Sequence, residues 1–194
     1  KSAKRLACPV ALKIASPHIE YKSDVGGVEL GLQTPEEVRQ AFLSLTSRVQ
    51  CLRSEAFISG CLVQEMILGK FTEVCIRARR DPKFGPLVRF GLSGSQAEIF
   101  QDYSLRLAPL SLADASGMMR ELKVFSLLKR ERGRDALDLR ALEDVLLTMS
   151  QMTLDFPEIY ALEFDPVLVT PRGAWIAGAR MSLLPHAEER GRDR

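Results

Sequence analysis

The amino-acid sequence predicts an α+β fold made of two lobes with largely antiparallel sheets. Short apolar runs bounded by turn residues predict strands, and three segments with apolar residues every three or four positions predict helices. Several neighbouring strands are joined by turns, which favours antiparallel pairing over a doubly wound parallel sheet. The chain has 194 residues, of which 46% are hydrophobic and 27% charged, enough for a sizeable core.

The first lobe is predicted to contain three strands and one helix. Strands are predicted at Val10–Ile14 and Gly27–Leu32, and the loop SPHIEYKSDVGG connects them. Thr34 followed by Pro35 and two acids predicts the start of a helix. The apolar run Phe57–Leu68 then predicts a buried strand.

The second lobe is predicted to hold the remaining strands and two helices. The helices are Ser111–Leu122 and Asp138–Leu154. The strands are Phe71–Ala78, Leu87–Phe90, Ala97–Phe100, Ser104–Leu107, Ala161–Val169 and Ala174–Leu183. We therefore predict a first lobe at 9–68, a second lobe at 69–185 and a polar tail at 186–194.

Composition excludes several classes of function. Lys and Arg number 27 against 25 Asp and Glu, so no general basic field favours nucleic acid. No apolar run approaches the roughly 20 residues that a membrane span requires. The four cysteines form no CxxC pair, which favours reduced thiols in a cytoplasmic protein over a zinc site or disulfides.

A lysine and the loop after it form the first candidate site. Lys13 lies in an apolar strand, where an ammonium is costly unless it faces a ligand or solvent. The loop supplies a second cation, polar side chains and paired glycines suited to a polyphosphate: Lys22, Ser23, Asp24, Gly26 and Gly27. A solvated lysine beside a plain turn is the alternative.

Acidic residues form a second candidate site. Glu163 and Asp165 lie two apart on a predicted strand, so both point to one face and can share a divalent cation, with Glu98 as a third carboxylate. The alternative is an exposed, solvated strand face. A local basic cluster could bind a phosphate or an acidic partner, and the alternative is a solvated strand edge. The cluster consists of Arg77, Arg79, Arg80 and Arg89.

Five segments carry a family resemblance: ALKIASPHIEYKSDVGGVELGL, LVQEMI, RDPKFGPLVRFGLSG, RLAPL and DFPEIYALEFDPVLV. In this order and spacing they resemble the ATP-grasp domain of NDP-forming acyl-CoA synthetases, which large bacterial protein lysine acetyltransferases also carry. The resemblance covers about Pro9 to Leu184. The family's domain begins some tens of residues earlier, so the resemblance implies a truncated N-terminal portion.

The resemblance implies that ATP or ADP with Mg²⁺ is held between two α+β lobes. It implies that Lys13 binds phosphate and that Lys22 to Val28 form the mobile loop. The implied adenine hinge consists of Gln64, Glu65 and Met66. The implied metal ligands are Glu163 and Asp165, with Asp165 in place of the family's usual Asn.

Three positions depart from the family's pattern. Tyr21 stands where active synthetases have a His implicated in phosphoryl relay, and Gly178 stands where the family has an Asp in its last strand. The glycine-rich loop reads GLSGSQAE instead of the usual G-L-G-G pattern. A phenol is a poor substitute for an imidazole as a phosphoryl carrier at neutral pH.

Two functions follow as expectations. The first is the nucleotide-binding component of an acid–thiol ligase that uses Mg-ATP to support formation of an acyl phosphate and then a CoA thioester, with CoA-binding and ligase domains in the same or a partner chain. The second is a catalytically silent regulatory domain of a larger acyltransferase or synthetase. A homo-oligomer is compatible with both.

Overall fold

The structure, a computed structural model, describes residues 9–94, 101–123, 125, 128 and 136–185. The chain divides into two compact units, Lys1–Leu68 and Gly69–Arg194. Every strand pair among the described residues is antiparallel, and helices pack on the sheets, so the α+β prediction is confirmed.

The first unit contains a three-stranded sheet in the order β2-β1-β3. The strands are β1 (Val10–Ala15), β2 (Val28–Leu32) and β3 (Gly60–Glu65). Helix α1 (Pro35–Leu52) packs its buried side chains against the sheet, where Leu45 joins a core of small and branched residues. That core consists of Ile14, Ile19, Val25, Leu45, Val49 and Ala56.

Helix α1 begins where its sequence predicts. The Thr34 hydroxyl accepts a hydrogen bond from the Glu37 amide at 3.1 Å, and the Glu37 carboxylate accepts one from the Gln33 amide at 2.8 Å. Pro35 occupies the first helical position, where the missing N–H has no intrahelical partner to lose. These local contacts fix the start of α1 independently of the sheet.

The second unit contains a larger sheet in the order β6-β5-β4-β7-β8, with β9 also paired to β7. Its strands are β4 (Thr72–Asp81), β5 (Gly85–Leu92), β6 (Tyr103–Leu107), β7 (Ile159–Thr170), β8 (Gly173–Ile176) and β9 (Ala179–Leu183). Helices α2 (Leu112–Glu121) and α3 (Leu139–Asp155) cover one face of this sheet. Their apolar side chains form the main core with Ile76, Phe90 and Leu162.

Two sequence predictions change in the structure. The single strand predicted at Ala174–Leu183 is two strands, β8 and β9, because the chain breaks its pairing at Ala177 and Gly178. The strand predicted at Phe57–Leu68 is shorter and spans Gly60–Glu65. The strand predicted at Ala97–Phe100 lies outside the described residues. Within the described part of the chain, no helix is long and apolar enough to span a membrane.

Candidate nucleotide and metal sites

Lys13 lies on the face of the first sheet that is opposite α1. Its neighbour Ile14 is buried in the core against α1, and side chains alternate along a strand. Lys13 pairs in register with Val28 on β2 and Leu62 on β3, so it occupies the middle of the sheet. Burial lowers the pKa of the Lys13 ammonium, and the nearby Lys22 lowers it further.

The loop after β1 closes as a compact turn. Ser23–Val25 form one turn of 3₁₀ helix, and Gly26 follows with φ of 60°, a left-handed conformation that suits glycine. The Gly26 amide donates to Ser23 O at 3.0 Å and the Gly27 amide to Lys22 O at 2.7 Å. In this conformation these two amides serve the turn itself.

The next glycine is required by packing. A Cβ at Gly27 would lie 2.7 Å from Cγ2 of Ile14 and 2.9 Å from Lys22 O. Arg48 connects α1 to this loop, because its guanidinium donates to Gly26 O at 2.9 Å and pairs with Glu29 at 2.9 Å. The loop is therefore held from the helix side of the unit.

The end of β3 holds the three residues predicted at the adenine hinge. Gln64 lies on the same sheet face as Lys13, because it is two residues from Leu62, the register partner of Lys13. Its Oε1 atom is buried and has no hydrogen-bond partner among the described residues. Glu65 is exposed, and Met66 Sδ accepts a hydrogen bond from the Gly31 amide at 2.9 Å. Gln64 thus offers a buried acceptor at this strand end.

Glu163 and Asp165 lie on β7, on the sheet face opposite α2 and α3. Their neighbours Leu162 and Phe164 are buried in the helix-covered core, so the alternation of the strand turns the acids to the other face. Their side chains are 13% and 26% exposed. The structure therefore brings the two predicted carboxylates together on the sheet face opposite the helices.

Two arginines flank the acid pair from neighbouring strands. Arg77 on β4 and Arg180 on β9 are both register partners of Glu163. Arg77 Nε donates to Glu163 Oε1, and Arg77 Nη2 lies 3.2 Å from Asp165 Oδ2. Arg180 donates to Glu163 Oε2, and the Ser93 hydroxyl donates to Asp165 Oδ1. Each carboxylate oxygen thus accepts a hydrogen bond from this chain.

A buried thiol completes the cluster. One ligand atom each from Cys75, Glu163 and Asp165 lies within 4.8 Å of the others. Burial raises the pKa of Cys75 to about 12, with further increases from the Asp165 and Glu163 charges that outweigh the opposing effect of Arg77. With this pKa, Cys75 is protonated at neutral pH. Because the thiolate is the form that ligates metals, Cys75 is a neighbour of the acids and not a metal ligand in this state.

Gly178 lies against the backbone beside Asp165. The Asp165 amide donates to Gly178 O at 2.9 Å, and the Gly178 amide donates to Pro166 O at 3.3 Å. A Cβ at this position would lie 3.0 Å from the Asp165 carbonyl carbon and closer still to its oxygen. This backbone path therefore has no space for the carboxylate that the family resemblance implies at position 178.

The remaining predicted residues have separate outcomes. Tyr21 is 53% exposed at the start of the loop, and Glu98 lies outside the described residues. His18, in the same loop, accepts a hydrogen bond at Nδ1 from the Phe57 amide at 3.0 Å. It therefore ties the first loop to the segment before β3.

The predicted basic cluster divides among different partners. Arg79 Nε donates to the Tyr160 hydroxyl at 3.1 Å, and Arg80 Nη2 donates to Thr153 O near the end of α3 at 2.5 Å. Arg80 thereby interacts with the negative end of the helix dipole. These two arginines have structural partners, whereas Arg77 faces the acid pair.

Sequence reasoning missed the role of Arg180 and Ser93 at the acid pair. Arg180 is 17 residues from Glu163 in the chain, and Ser93 is 72 residues from Asp165. The contact of Arg180 depends on the register of β9 with β7, and the contact of Ser93 depends on the registers of β5 with β4 and of β4 with β7. Sequence alone leaves these registers unspecified.

The sequence matches the ATP-grasp domain family over residues 1–183. It is 36% identical over 184 residues to the beta subunit of ADP-forming acetate–CoA ligase I from Pyrococcus furiosus, which covers 94% of this chain and 78% of that subunit. It is 38% identical over 181 residues to ADP-forming acetate–CoA ligase I from Archaeoglobus fulgidus. That match covers 93% of this chain but 26% of the relative, so the chain spans about a quarter of its length.

Solved structures share this fold. A dinucleotide-forming acetyl-coenzyme A synthetase 1 from Ca. Korarchaeum cryptofilum, in complex with coenzyme A, Ca-AMPCP and HgCl⁺, matches with a TM-score of 0.90 at 39% identity, covering 94% of this chain and 80% of that chain. The same synthetase with coenzyme A and Mg-AMPPCP, its phosphohistidine segment pointing towards the nucleotide-binding site, matches with a TM-score of 0.81 at 37% identity and the same coverages.

Proposed function

The chain belongs to the ATP-grasp domain family, and from that premise we propose that it is the nucleotide-binding component of an NDP-forming acyl-CoA synthetase. The observation that carries the proposal is the match at 39% identity and TM-score 0.90 to a synthetase solved with a nucleotide analogue. The component supports phosphoryl transfer from ATP toward an acyl phosphate, and the acyl-CoA forms in a later step. Catalysis of this kind consists mainly of positioning and charge neutralisation.

In the first unit, Lys13 and the loop from Lys22 to Val28 bind the phosphates. The lowered pKa of Lys13 supports this role, because a partly desolvated ammonium in mid-sheet gains most from an anionic ligand. Gln64 presents its buried Oε1 to the adenine, whose exocyclic amine is a suitable donor. Glu65 and Met66 complete that end of the nucleotide site.

In the second unit, Glu163 and Asp165 would hold Mg²⁺. Their carboxylates are hard oxygen donors of the type that Mg²⁺ takes, and the adjacent Ser93 hydroxyl adds a third oxygen, so the donor set fits the ion. Bound Mg²⁺ supplies neutralisation of phosphate charge. Glu98 is a further proposed ligand.

The rest of the reaction requires parts beyond the 194 residues. The related synthetase is described with a phosphohistidine segment and with coenzyme A, and this chain has Tyr21 at its own implied relay position. We therefore assign the phosphorylated histidine and the CoA-binding domain to the same longer chain or to a partner chain. A homo-oligomer and a cytoplasmic location remain predictions.

A silent regulatory domain is the second candidate function. The observation that favours it is Gly178, because the backbone there leaves no space for a side chain. The relatives named above are ligases or ligase subunits, which favours the first function.

Thermal unfolding with and without ATP and Mg²⁺ tests the proposed function. At 100 times its Kd a ligand adds about 2.7 kcal/mol to the free energy of unfolding. For a chain of this size that corresponds to a rise of about 5 to 11 °C in the midpoint. Lys13→Ala should abolish the rise, whereas the control Lys83→Ala, an exposed lysine in the β4–β5 turn, should keep it. The proposal is wrong if the folded wild-type chain shows no rise.

A further inference from the structure

The acid pair is already neutralised by its own chain. Glu163 and Asp165 carry two negative charges, and Arg77 and Arg180 place two positive charges in contact with them. Both oxygens of Glu163 accept from guanidinium groups, and the oxygens of Asp165 accept from Arg77 and Ser93. A divalent cation that approaches this pair alone therefore meets a site with a net charge of zero.

Arg77 is the arginine that joins the two acids. Its guanidinium contacts both carboxylates, whereas Arg180 contacts Glu163. The side chain of Arg77 is 44% exposed and that of Arg180 is 29% exposed, so Arg77 has more freedom to turn toward solvent or a ligand. Arg77 is therefore the group whose movement would free an oxygen on each acid.

We propose that Arg77 makes cation binding at Glu163 and Asp165 depend on the phosphates of the nucleotide. Without nucleotide, Arg77 occupies the carboxylates and repels a divalent cation. When a nucleoside triphosphate binds, which rests on the function proposed above, its phosphates compete for the guanidinium. Arg77 then leaves the acids, and the cation enters together with the nucleotide.

The charges support this exchange. A guanidinium forms paired hydrogen bonds equally well with a carboxylate and with a phosphate, so Arg77 can change partner without losing its interaction. Its departure changes the charge of the acid site from zero to minus one, which attracts a divalent cation. Arg77 is a positioning residue in this proposal, because it acts through Glu163 and Asp165.

A neighbouring arginine offers a matched control. Arg89 on β5 is the register partner of Arg77 and carries the same charge on the same sheet face. Its guanidinium carbon lies 3.9 Å from the centroid of the Tyr103 ring, and no ion pair joins Arg89 to a carboxylate among the described residues. Removing Arg89 changes the net charge of the face as Arg77→Gln does, but leaves the acid pair engaged.

The test measures Mn²⁺ binding in the absence of nucleotide, from the electron paramagnetic resonance signal of free Mn²⁺. We expect weak binding by the wild-type chain, about tenfold or more tighter binding by Arg77→Gln, and less than about threefold change in Arg89→Gln. Added ATP should lower the free Mn²⁺ signal, beyond the loss that ATP alone causes in a protein-free sample, much more with the wild type than with Arg77→Gln. Should the glutamine variant fail to fold, Arg77→Met keeps the unbranched stem and repeats the measurement.

The outcomes separate this inference from the proposed function. Equal nucleotide-free affinity for Mn²⁺ in the wild type and Arg77→Gln, or no binding by Arg77→Gln, overturns the role of Arg77 even if ATP stabilises the chain. An equal gain in Arg89→Gln also overturns it, because the effect would then be one of general charge. A gain confined to Arg77→Gln, in a chain that ATP does not stabilise, would show that Arg77 excludes the cation from Glu163 and Asp165, but it would overturn both the control by nucleotide and the proposed function.

Discussion

Replacing Gly178 by alanine tests whether the backbone beside the acid pair excludes a side chain. Gly178 is not one of the glycines with a positive φ. An alanine at this position is therefore opposed by steric contact and not by its backbone conformation. The contact is with the backbone of Asp165, and Cδ of Pro166 lies 3.5 Å from the same Cβ position. Backbone atoms of a paired strand cannot rotate away as a flexible side chain can.

The expected loss of stability follows from how the clash would be relieved. The start of β9 must move away from β7, which stretches the hydrogen bonds of Gly178 with the Asp165 amide and Pro166 O. Overpacking costs about 1 to 3 kcal/mol, and a lost hydrogen bond costs about 1 kcal/mol. We expect Gly178→Ala to lower the free energy of unfolding by about 2 to 4 kcal/mol, and the midpoint by about 5 to 15 °C.

Urea and thermal unfolding of two alanine variants provide the measurement. Gly117→Ala is the control, because Gly117 lies in α2 and the nearest atom to its Cβ is Nη2 of Arg106 at 4.0 Å. Both variants reduce the freedom of the unfolded chain equally, and Gly117→Ala should be neutral or stabilise by up to about 1 kcal/mol. If Gly178→Ala unfolds within about 0.5 kcal/mol of wild type, the steric argument fails and a Cβ can be accommodated at this position.

Two further predictions concern titratable groups. Burial, and then the nearby Lys22, lower the pKa of Lys13 below 10.5 in the folded state, so between the lowered value and 10.5 the unfolded chain binds more protons and the free energy of unfolding rises with pH. In urea unfolding measured across this pH range, Lys13→Met should remove that part of the rise. An unchanged slope of the free energy of unfolding against pH would contradict the burial of the ammonium. Burial and the nearby acids raise the pKa of Cys75 to about 12, so iodoacetamide at pH 8 should label the exposed Cys51 at least about tenfold faster than Cys75. Mass spectrometry follows the two labelling rates, and equal rates in the folded chain would refute the burial of the Cys75 thiol.

Much of the fold is predictable because its signals are local. Helix α1 starts at Pro35 because Thr34, Pro35 and Glu37 satisfy its first turn within a few residues. The break between β8 and β9 was missed, because the apolar run Ala174–Leu183 continues through it. The interruption arises where Ala177 and Gly178 both donate to Pro166 O, a contact between segments that local pattern cannot predict.

The candidate sites divide in the same way. Glu163 and Asp165 were found from a spacing of two on a strand, which sets their common face by itself. Their arginine partners were not found, because contact with Arg77 and Arg180 depends on the register of β7 with β4 and β9. A one-residue change of register would turn those arginines to the other face of the sheet.

The departures at positions 165 and 178 are connected in the structure. The resemblance implies Asn at 165 and Asp at 178, whereas this chain has Asp165 and Gly178, so one carboxylate disappears from the set and another enters it. The two positions are in backbone contact through the Asp165 amide and Gly178 O, 2.9 Å apart. With Glu163 the set still contains two acids, which is the number that the family pattern supplies. The carboxylate that the family pattern has at position 178 is therefore replaced by one at position 165, which lies beside it. For this reason the absence of Asp at 178 is by itself weak evidence for a silent domain.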